Sequence, residues 1–150
     1  MTKFSSYDGF YFKMKNAYFL ERKIYYHDTD WGGVVYYANY LKYFEEARTE
    51  YLLQCGVDIK NLAEEGVIFV VRKVTVRYFK PAFYGDVVRI YADLTQIGKA
   101  SLEFIQEVKK DDVLLVSASV SLGCVDSKSL SPKPIPSPIK MRLESSSWKK

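Results

Sequence analysis

Three groups able to do chemistry crowd into one short stretch: His27, the only histidine of the chain, and the carboxylates Asp28 and Asp30, followed by the glycine pair Gly32-Gly33. Asp30 leads. It stands in a glycine-bearing turn just ahead of a helical pattern, and a helix N-terminus presents unpaired backbone N–H groups and a partial positive charge. A carbonyl oxygen seated there would be polarised, and an oxyanion forming on it stabilised. A carboxylate beside that carbonyl could attack it, or take a proton from an attacking water. Together these are a minimal apparatus for acyl transfer. Turn chemistry by itself favours a plainer reading, in which Asp28 and Asp30 only accept from turn amides.

Other constellations are weaker. His27 and Asp28 are adjacent, and neighbours on an extended chain point to opposite faces, so they do not converge on a metal. With no second histidine and no suitably spaced cysteine, no metal site is expected. There is no Gly-x-Ser-x-Gly elbow for a nucleophilic serine. The turn Ile97-Gly98-Lys99-Ala100-Ser101 lacks the glycine spacing and the following helix of a phosphate loop, though Lys99 could meet a phosphate by charge alone. Arg72, Lys73, Arg77 and Lys80 form a basic cluster that reads equally as a guarded edge strand or a ligand patch. Glu45 and Glu46 read as a solvated helix face paired with Lys42 or Arg48.

The elements that must position Asp30 are legible around it. Residues 17–27, with Tyr18, Leu20, Ile24 and Tyr26 spaced by charges, read as a first strand. From about Tyr36 a stripe of Tyr37, Tyr40, Leu41, Phe44, Ala47, Tyr51, Leu52 and Cys55 predicts a long helix ended by Gly56, with Asn39 able to cap its start. A second short helix is expected over residues 58–65, capped by Asp58. Four long strands follow, over 67–79, 87–97, 101–109 and 113–125. In the first of these Val74, Val76 and Tyr78 share one side. In the last, Val116, Ala118, Val120, Leu122 and Cys124 share one face, and the small Ser117, Ser119, Ser121 and Gly123 the other. The order predicts an α+β layer pair, a curved antiparallel sheet of about five strands wrapped around one long helix. Its open edge suits a second copy. Residues 1–16 read as an N-terminal extension, 17–138 as the folded domain, and 139–150 as a loosely attached tail with a short segment around Ile139–Leu143.

Bulk properties agree with one enzyme-sized domain. The chain has 150 residues, is 48% hydrophobic and carries 13 Tyr and 9 Phe. A net charge of +4 suits a small polyanionic ligand and is too mild for nucleic acid. Cys55 and Cys124 are expected as buried free thiols of a reducing compartment. With no signal-peptide run at the N-terminus and no apolar stretch of membrane-spanning length, the expectation is a soluble, cytoplasmic protein.

The stretch Tyr26-His27-Asp28-Thr29-Asp30-Trp31-Gly32-Gly33-Val34-Val35-Tyr36-Tyr37-Ala38-Asn39-Tyr40-Leu41, with Phe44-Glu45-Glu46-Ala47-Arg48-Thr49-Glu50 after it, closely resembles the signature of the 4-hydroxybenzoyl-CoA thioesterase family. The nearest branch is that of the bacterial acyl-CoA thioesterases associated with the Tol-Pal system. Val70–Val76, Tyr78–Ala82 and Ser101-Leu102 resemble it too, so the likeness runs from about Phe19 to Pro136. It implies a hot-dog fold, dimers through sheet-edge pairing and often tetramers, an active site between subunits, and hydrolysis of an acyl-CoA thioester to a carboxylic acid and free CoA without metal or organic cofactor.

The resemblance puts the catalytic aspartate, nucleophile or general base, on Asp30 and the carbonyl-polarising backbone N–H at Tyr37. Many members of the nearest branch carry histidine at position 37. A backbone donor survives that exchange, whereas a histidine side-chain role does not. Tyr40 and Phe69, with Tyr37, are then candidate acyl-pocket walls, and Arg72, Lys73 and Lys99 candidate partners of the CoA phosphates. Two other readings stay open: hydrolysis of acyl groups on acyl carrier protein, and a non-catalytic acyl-CoA-binding module. A hot-dog dehydratase is disfavoured, because the one histidine lies before the turn.

Overall fold

The computed structural model describes residues 3–7, 10–14 and 17–145. Two short strands, β1 (Lys3–Tyr7) and β2 (Phe10–Met14), pair antiparallel as a separate hairpin that residues 1–16 did not announce. The main body is an antiparallel five-stranded sheet in the order β3-β5-β6-β7-β4: β3 (Tyr18–Lys23), β4 (Val67–Tyr78), β5 (Val87–Ile97), β6 (Ser101–Lys110) and β7 (Val113–Asp126). The sheet is open, with β3 and β4 as its edges. Helix α1 (Asn39–Gln54) lies against β3 and β5. Helix α2 (Ile59–Glu64) packs on β4, with the Asp58 side chain capping it through the Lys60 N–H at 2.9 Å.

One sheet face builds the core. Val88, Ile90, Ala92, Leu102, Phe104, Val108, Val116, Ala118, Val120 and Leu122 are buried on it, facing Tyr40, Tyr43, Phe44, Ala47, Tyr51 and Leu52 of α1. Tyr51 meets Phe104 edge to face at 5.4 Å between ring centroids. The apolar phase of β4 changes midway, from Val67-Phe69-Val71 to Val74-Val76-Tyr78. A bulge at Arg72, between the pairs Val71↔Leu122 and Lys73↔Ser121, absorbs the extra residue and keeps both halves on one face. Gly123 lets the Arg72 side chain lie across it, since a Cβ there would come within 2.6 Å of the Arg72 Cδ and push that side chain aside.

Several expected boundaries move. The first strand ends at Lys23, and Tyr26–Asp28 form a turn of 3-10 helix, because the Asp28 and Thr29 N–H groups bond back to the Tyr25 and Tyr26 carbonyls. Asn39 is the first helical residue and not the cap; Ala38 holds that place without a side-chain cap bond. Tyr37 and Leu41 of the expected stripe are exposed, whereas Tyr43 and Arg48 are buried. Arg48 is buried and lies on no solvated face, although the Glu45 charge still acts on it. Its guanidinium donates to the Gln106 Oε1 at 2.9 Å, and the Gln106 amide donates to the Phe44 carbonyl at 3.0 Å, so the polar groups beneath α1 satisfy one another. Glu46 instead accepts from Arg22 at 2.7 Å.

The C-terminal segment is helix α3 (Ser137–Glu144), which starts after Pro136 and buries Ile139 and Leu143 in the core. It is anchored, not loosely attached. Truncating Leu143, which is fully buried, to Ala is expected to cost about 2–5 kcal/mol, read as a lower urea midpoint with an unchanged slope.

Candidate active site

The chain leaves β3 through the 3-10 turn and makes a narrow loop before α1. Thr29 and Val35 bridge across it, the Asp30 N–H donates to the Val34 carbonyl at 2.9 Å, and the Gly33 N–H donates to the Asp30 carbonyl at 3.0 Å. Gly33 has φ +76, a conformation that a side chain would strain. Asp30 therefore sits at the start of a tight β-turn, exposed to solvent. Its Oδ1 accepts from the Gly32 N–H at 2.9 Å, while among the described residues Oδ2 takes no hydrogen bond. One oxygen fixes the carboxylate, and the other is left without a partner among those residues.

Asp28 plays the opposite part. It is buried, its carboxylate accepts from the Tyr25 N–H at 2.8 Å, and Arg22 lies 3.7 Å away. Its carbonyl accepts from both the Tyr36 N–H, at 3.0 Å, and the Asn39 side chain, at 2.9 Å. Asp28 thus ties β3, the loop and the first residue of α1 together. Burial pushes its carboxyl up, but the Tyr25 N–H, Tyr43 and Arg22 outweigh that and hold it below the usual carboxylate range. The Tyr43 phenol is pushed up by burial and by the Asp28 charge. A depressed folded pKa stabilises above the unfolded value of about 3.9 and is lost as pH falls through the folded one. Asp28→Asn is accordingly expected to cost about 1–3 kcal/mol near neutral pH, with its difference from wild type shrinking below about pH 4 in denaturant titrations.

The loop delivers the chain to the helix start. The carbonyls of Tyr36, Tyr37 and Ala38 already accept from the N–H groups three residues on, so helical turning begins at Tyr36 although the α-helix proper begins at Asn39. Among the described residues the Tyr37 N–H meets no acceptor, as the first donors of a helix do. Beside it opens a cavity of about 250 Å³ lined by Val35, Tyr37, Tyr40, Tyr78, Phe79, Lys80 and Pro81. Its walls are mutually braced: Tyr78 lies edge-on to Tyr37 at 6.2 Å and tilted to Tyr40 at 5.8 Å, and donates its hydroxyl to the Tyr37 carbonyl at 3.3 Å. The Tyr40 hydroxyl accepts from the Ala82 N–H at 3.4 Å.

Of the residues singled out in the sequence, Asp30, Tyr37 and Tyr40 gather at this end of the molecule. Phe69, Arg72, Lys73 and Lys99 do not. Tyr78 pairs with Val116 and Phe69 with Cys124, so the two lie eight residues apart along β7, about 26 Å. Phe69 lines two other cavities, one with α2 and one with Glu45, Arg48 and Leu52 of α1. Arg72 occupies the β4 bulge, Lys73 pairs with Ser121, and Lys99 is exposed in the β5–β6 turn, near the same far end. Tyr78 and Lys80 also line this cavity: Tyr78 reads from the sequence only as a strand residue and Lys80 only as one of the basic cluster, although both lie in the Tyr78–Ala82 stretch that carried part of the resemblance. His27 is exposed, with its Nδ1 3.9 Å from Asp28. Cys55 and Cys124 are buried and free.

Residues 25–143 match the model of the Thioesterase-like superfamily. The chain is 42% identical over 118 residues to the acyl-CoA thioester hydrolase YbgC of Escherichia coli O6:H1, spanning 78% of this chain and 88% of that one. It is 34% identical over 128 residues to the acyl-CoA thioesterase YbgC of Haemophilus influenzae, spanning 85% and 94%. The crystal structure of a probable thioesterase from Bartonella henselae superposes with a TM-score of 0.76 at 29% identity, covering 80% of this chain and 99% of that one. With a family match reaching from the Asp30 loop to α3, and the hot-dog arrangement of sheet and helix beneath it, the chain belongs to the Thioesterase-like superfamily.

Proposed function

We propose that this protein hydrolyses acyl-CoA thioesters to a carboxylic acid and free CoA, with Asp30 as nucleophile or general base and the Tyr37 N–H as the group that polarises the carbonyl. The observation that carries the reading is the pairing of a carboxylate having one pinned and one open oxygen with an unpaired N–H at a helix start, on a loop closed by hydrogen bonds at both ends. The YbgC relatives, named for this activity, support the substrate class.

The chemistry asks little more of the protein. As general base, Asp30 takes a proton from water while the water oxygen bonds to the thioester carbon. The carbonyl electrons move onto the oxygen, which the Tyr37 N–H and the helix start stabilise. Collapse breaks the C–S bond and expels the CoA thiolate. As nucleophile, Asp30 bonds to the same carbon, expels the thiolate and leaves a mixed anhydride that water then hydrolyses. A thiol has a pKa near 8.5, so its anion leaves without the strong general acid that an amide requires.

The cavity beside Tyr37 and Tyr40 takes the acyl group, and Lys80 at its edge is placed to meet an anionic part of the substrate. A second copy would bring Phe69 to this site, because an antiparallel pairing of two β4 edges exchanges the two ends of the strand. Lys99, in the turn beside the Phe69 end, would move with it, and Arg72 and Lys73, at the strand's middle, would lie near the pairing axis, so each site is built between subunits. The test is release of free thiol over a panel of acyl-CoAs, with the same acyl groups presented on acyl carrier protein in parallel. Turnover of the CoA esters supports the reading. Turnover only on the carrier protein redirects the substrate class, and binding without turnover removes the catalytic assignment.

A further inference from the structure

Among the residues whose burial is described, the end of the molecule that carries the Asp30 loop carries most of the exposed rings. Trp31 is fully exposed, and Tyr25, Tyr26, Tyr36, Phe83 and Tyr84 are exposed around it. Backbone bridges and ring contacts link several of them. Trp31 occupies the corner of the turn closed by Gly33 and Asp30, Val34 of the same loop bridges Phe83, and Tyr84 stands edge-on to Tyr26 at 5.8 Å. Tyr25 stacks on His27 at 6.1 Å, and the Lys23 ammonium lies 5.9 Å from the Tyr25 ring. An exposed aromatic cluster of this kind marks a contact surface.

The geometry points to a phospholipid bilayer as what this end meets, with the rings seated at headgroup level. Four features argue for that occupant. The rings are mainly Tyr and Trp, whose apolar bodies and polar tips suit a boundary between hydrocarbon and water. Trp31 stands out at the corner of a turn and is no part of a groove. The Tyr25, Tyr26 and Tyr84 part of the cluster continues from the ends of β3 and β5, on the opposite side of the sheet from the β4 edge where a second copy would add strands. The flanking cation Lys23 can reach headgroup phosphates, and the nearby Asp86 is neutralised by Lys110 at 2.8 Å, which leaves the exposed Asp30 carboxylate on the loop itself. Among the described residues no helix is long and apolar enough to cross a membrane, so the attachment is peripheral. If the protein acts on acyl-CoA, as proposed above, it would meet an amphiphilic substrate where that substrate gathers.

Sedimentation with vesicles of phosphatidylethanolamine and phosphatidylglycerol tests this without any turnover, so its result stands apart from the hydrolysis reading. In a Trp148→Phe background Trp31 is the sole indole, and its emission should shift to the blue as the protein co-sediments. Trp31→Ser with Tyr84→Ser should lower the partition on the order of tenfold while leaving the unfolding midpoint unchanged, since both rings are exposed. A wild type that stays in the supernatant overturns the proposal, as does a double variant that binds vesicles as well as wild type. A double variant whose only change is a smaller mass in solution overturns it too, and makes this surface a contact between copies.

Discussion

Asp30→Asn is expected to lower kcat on acyl-CoA by about 10²–10⁴-fold while the protein folds as before. Asparagine keeps the shape of the side chain and a carbonyl oxygen that still accepts the Gly32 N–H, so the turn has no reason to open. What it loses is the open, anionic oxygen that removes a proton or forms the acyl bond. Because Asp30 is exposed and among the described residues makes no ion pair, the unfolding free energy should change by no more than about 0.5 kcal/mol. KM should move little, since the acyl group and CoA are held elsewhere. The neighbouring Asp28→Asn supplies the control with the opposite signature: stability falls, because its buried carboxylate holds the Tyr25 N–H and faces Arg22. Two aspartates two residues apart would thus separate into one that holds the loop and one that, in the proposed reading, acts from it. An Asp30→Asn variant with most of its thiol release intact removes Asp30 from the chemistry.

That separation marks how far the sequence could be read. Local rules were enough for the two-layer architecture: the stripe at helical spacing, the alternation in the four long strands, and the glycines at the turns are each set by neighbours a few residues away. What escaped depends on contacts distant in sequence. Arg48 reads as one more charge on a helix until Gln106, 58 residues on, is placed beneath it. Asn39 looks like a cap, yet its amide reaches back to the Asp28 carbonyl, because the loop returns alongside the helix start. The polar, proline-rich approach to α3 hid an anchored helix, since only the finished core supplies the site for Ile139 and Leu143. At the candidate site, the types and order of residues singled out Asp30, and the resemblance alone gave it a partner in the Tyr37 N–H. The basic residues assigned to CoA lie away from the Asp30 end within one chain: Arg72 and Lys73 at the middle of β4, and Lys99 in the β5–β6 turn.

Disrupting the free edge of β4 is therefore expected to lower activity steeply together with loss of assembly. β4 is twelve residues long, pairs with β7 on one side only, and exposes Val71, Val74 and Tyr78 on its core-facing side. A long edge strand with exposed valines is a template for another strand. Antiparallel pairing of two such edges about their middle sets the second copy's Phe69 near Tyr78, which closes the open side of the tyrosine-walled cavity and brings Arg72 toward the mouth. Val74→Asp puts a charge near that axis twice, once from each copy, so like charges meet in the paired state and not in the free one. The expected result is a chain of monomer mass in sedimentation whose turnover falls about a hundredfold, since a site missing one wall no longer holds the thioester over the helix start. Val71→Lys, at a second exposed position of the same edge, should act in the same direction, and circular dichroism separates loss of assembly from loss of fold. A folded monomer that still releases thiol at the wild-type rate would show that each chain carries a complete site, and Phe69, Arg72, Lys73 and Lys99 would then have no part in it.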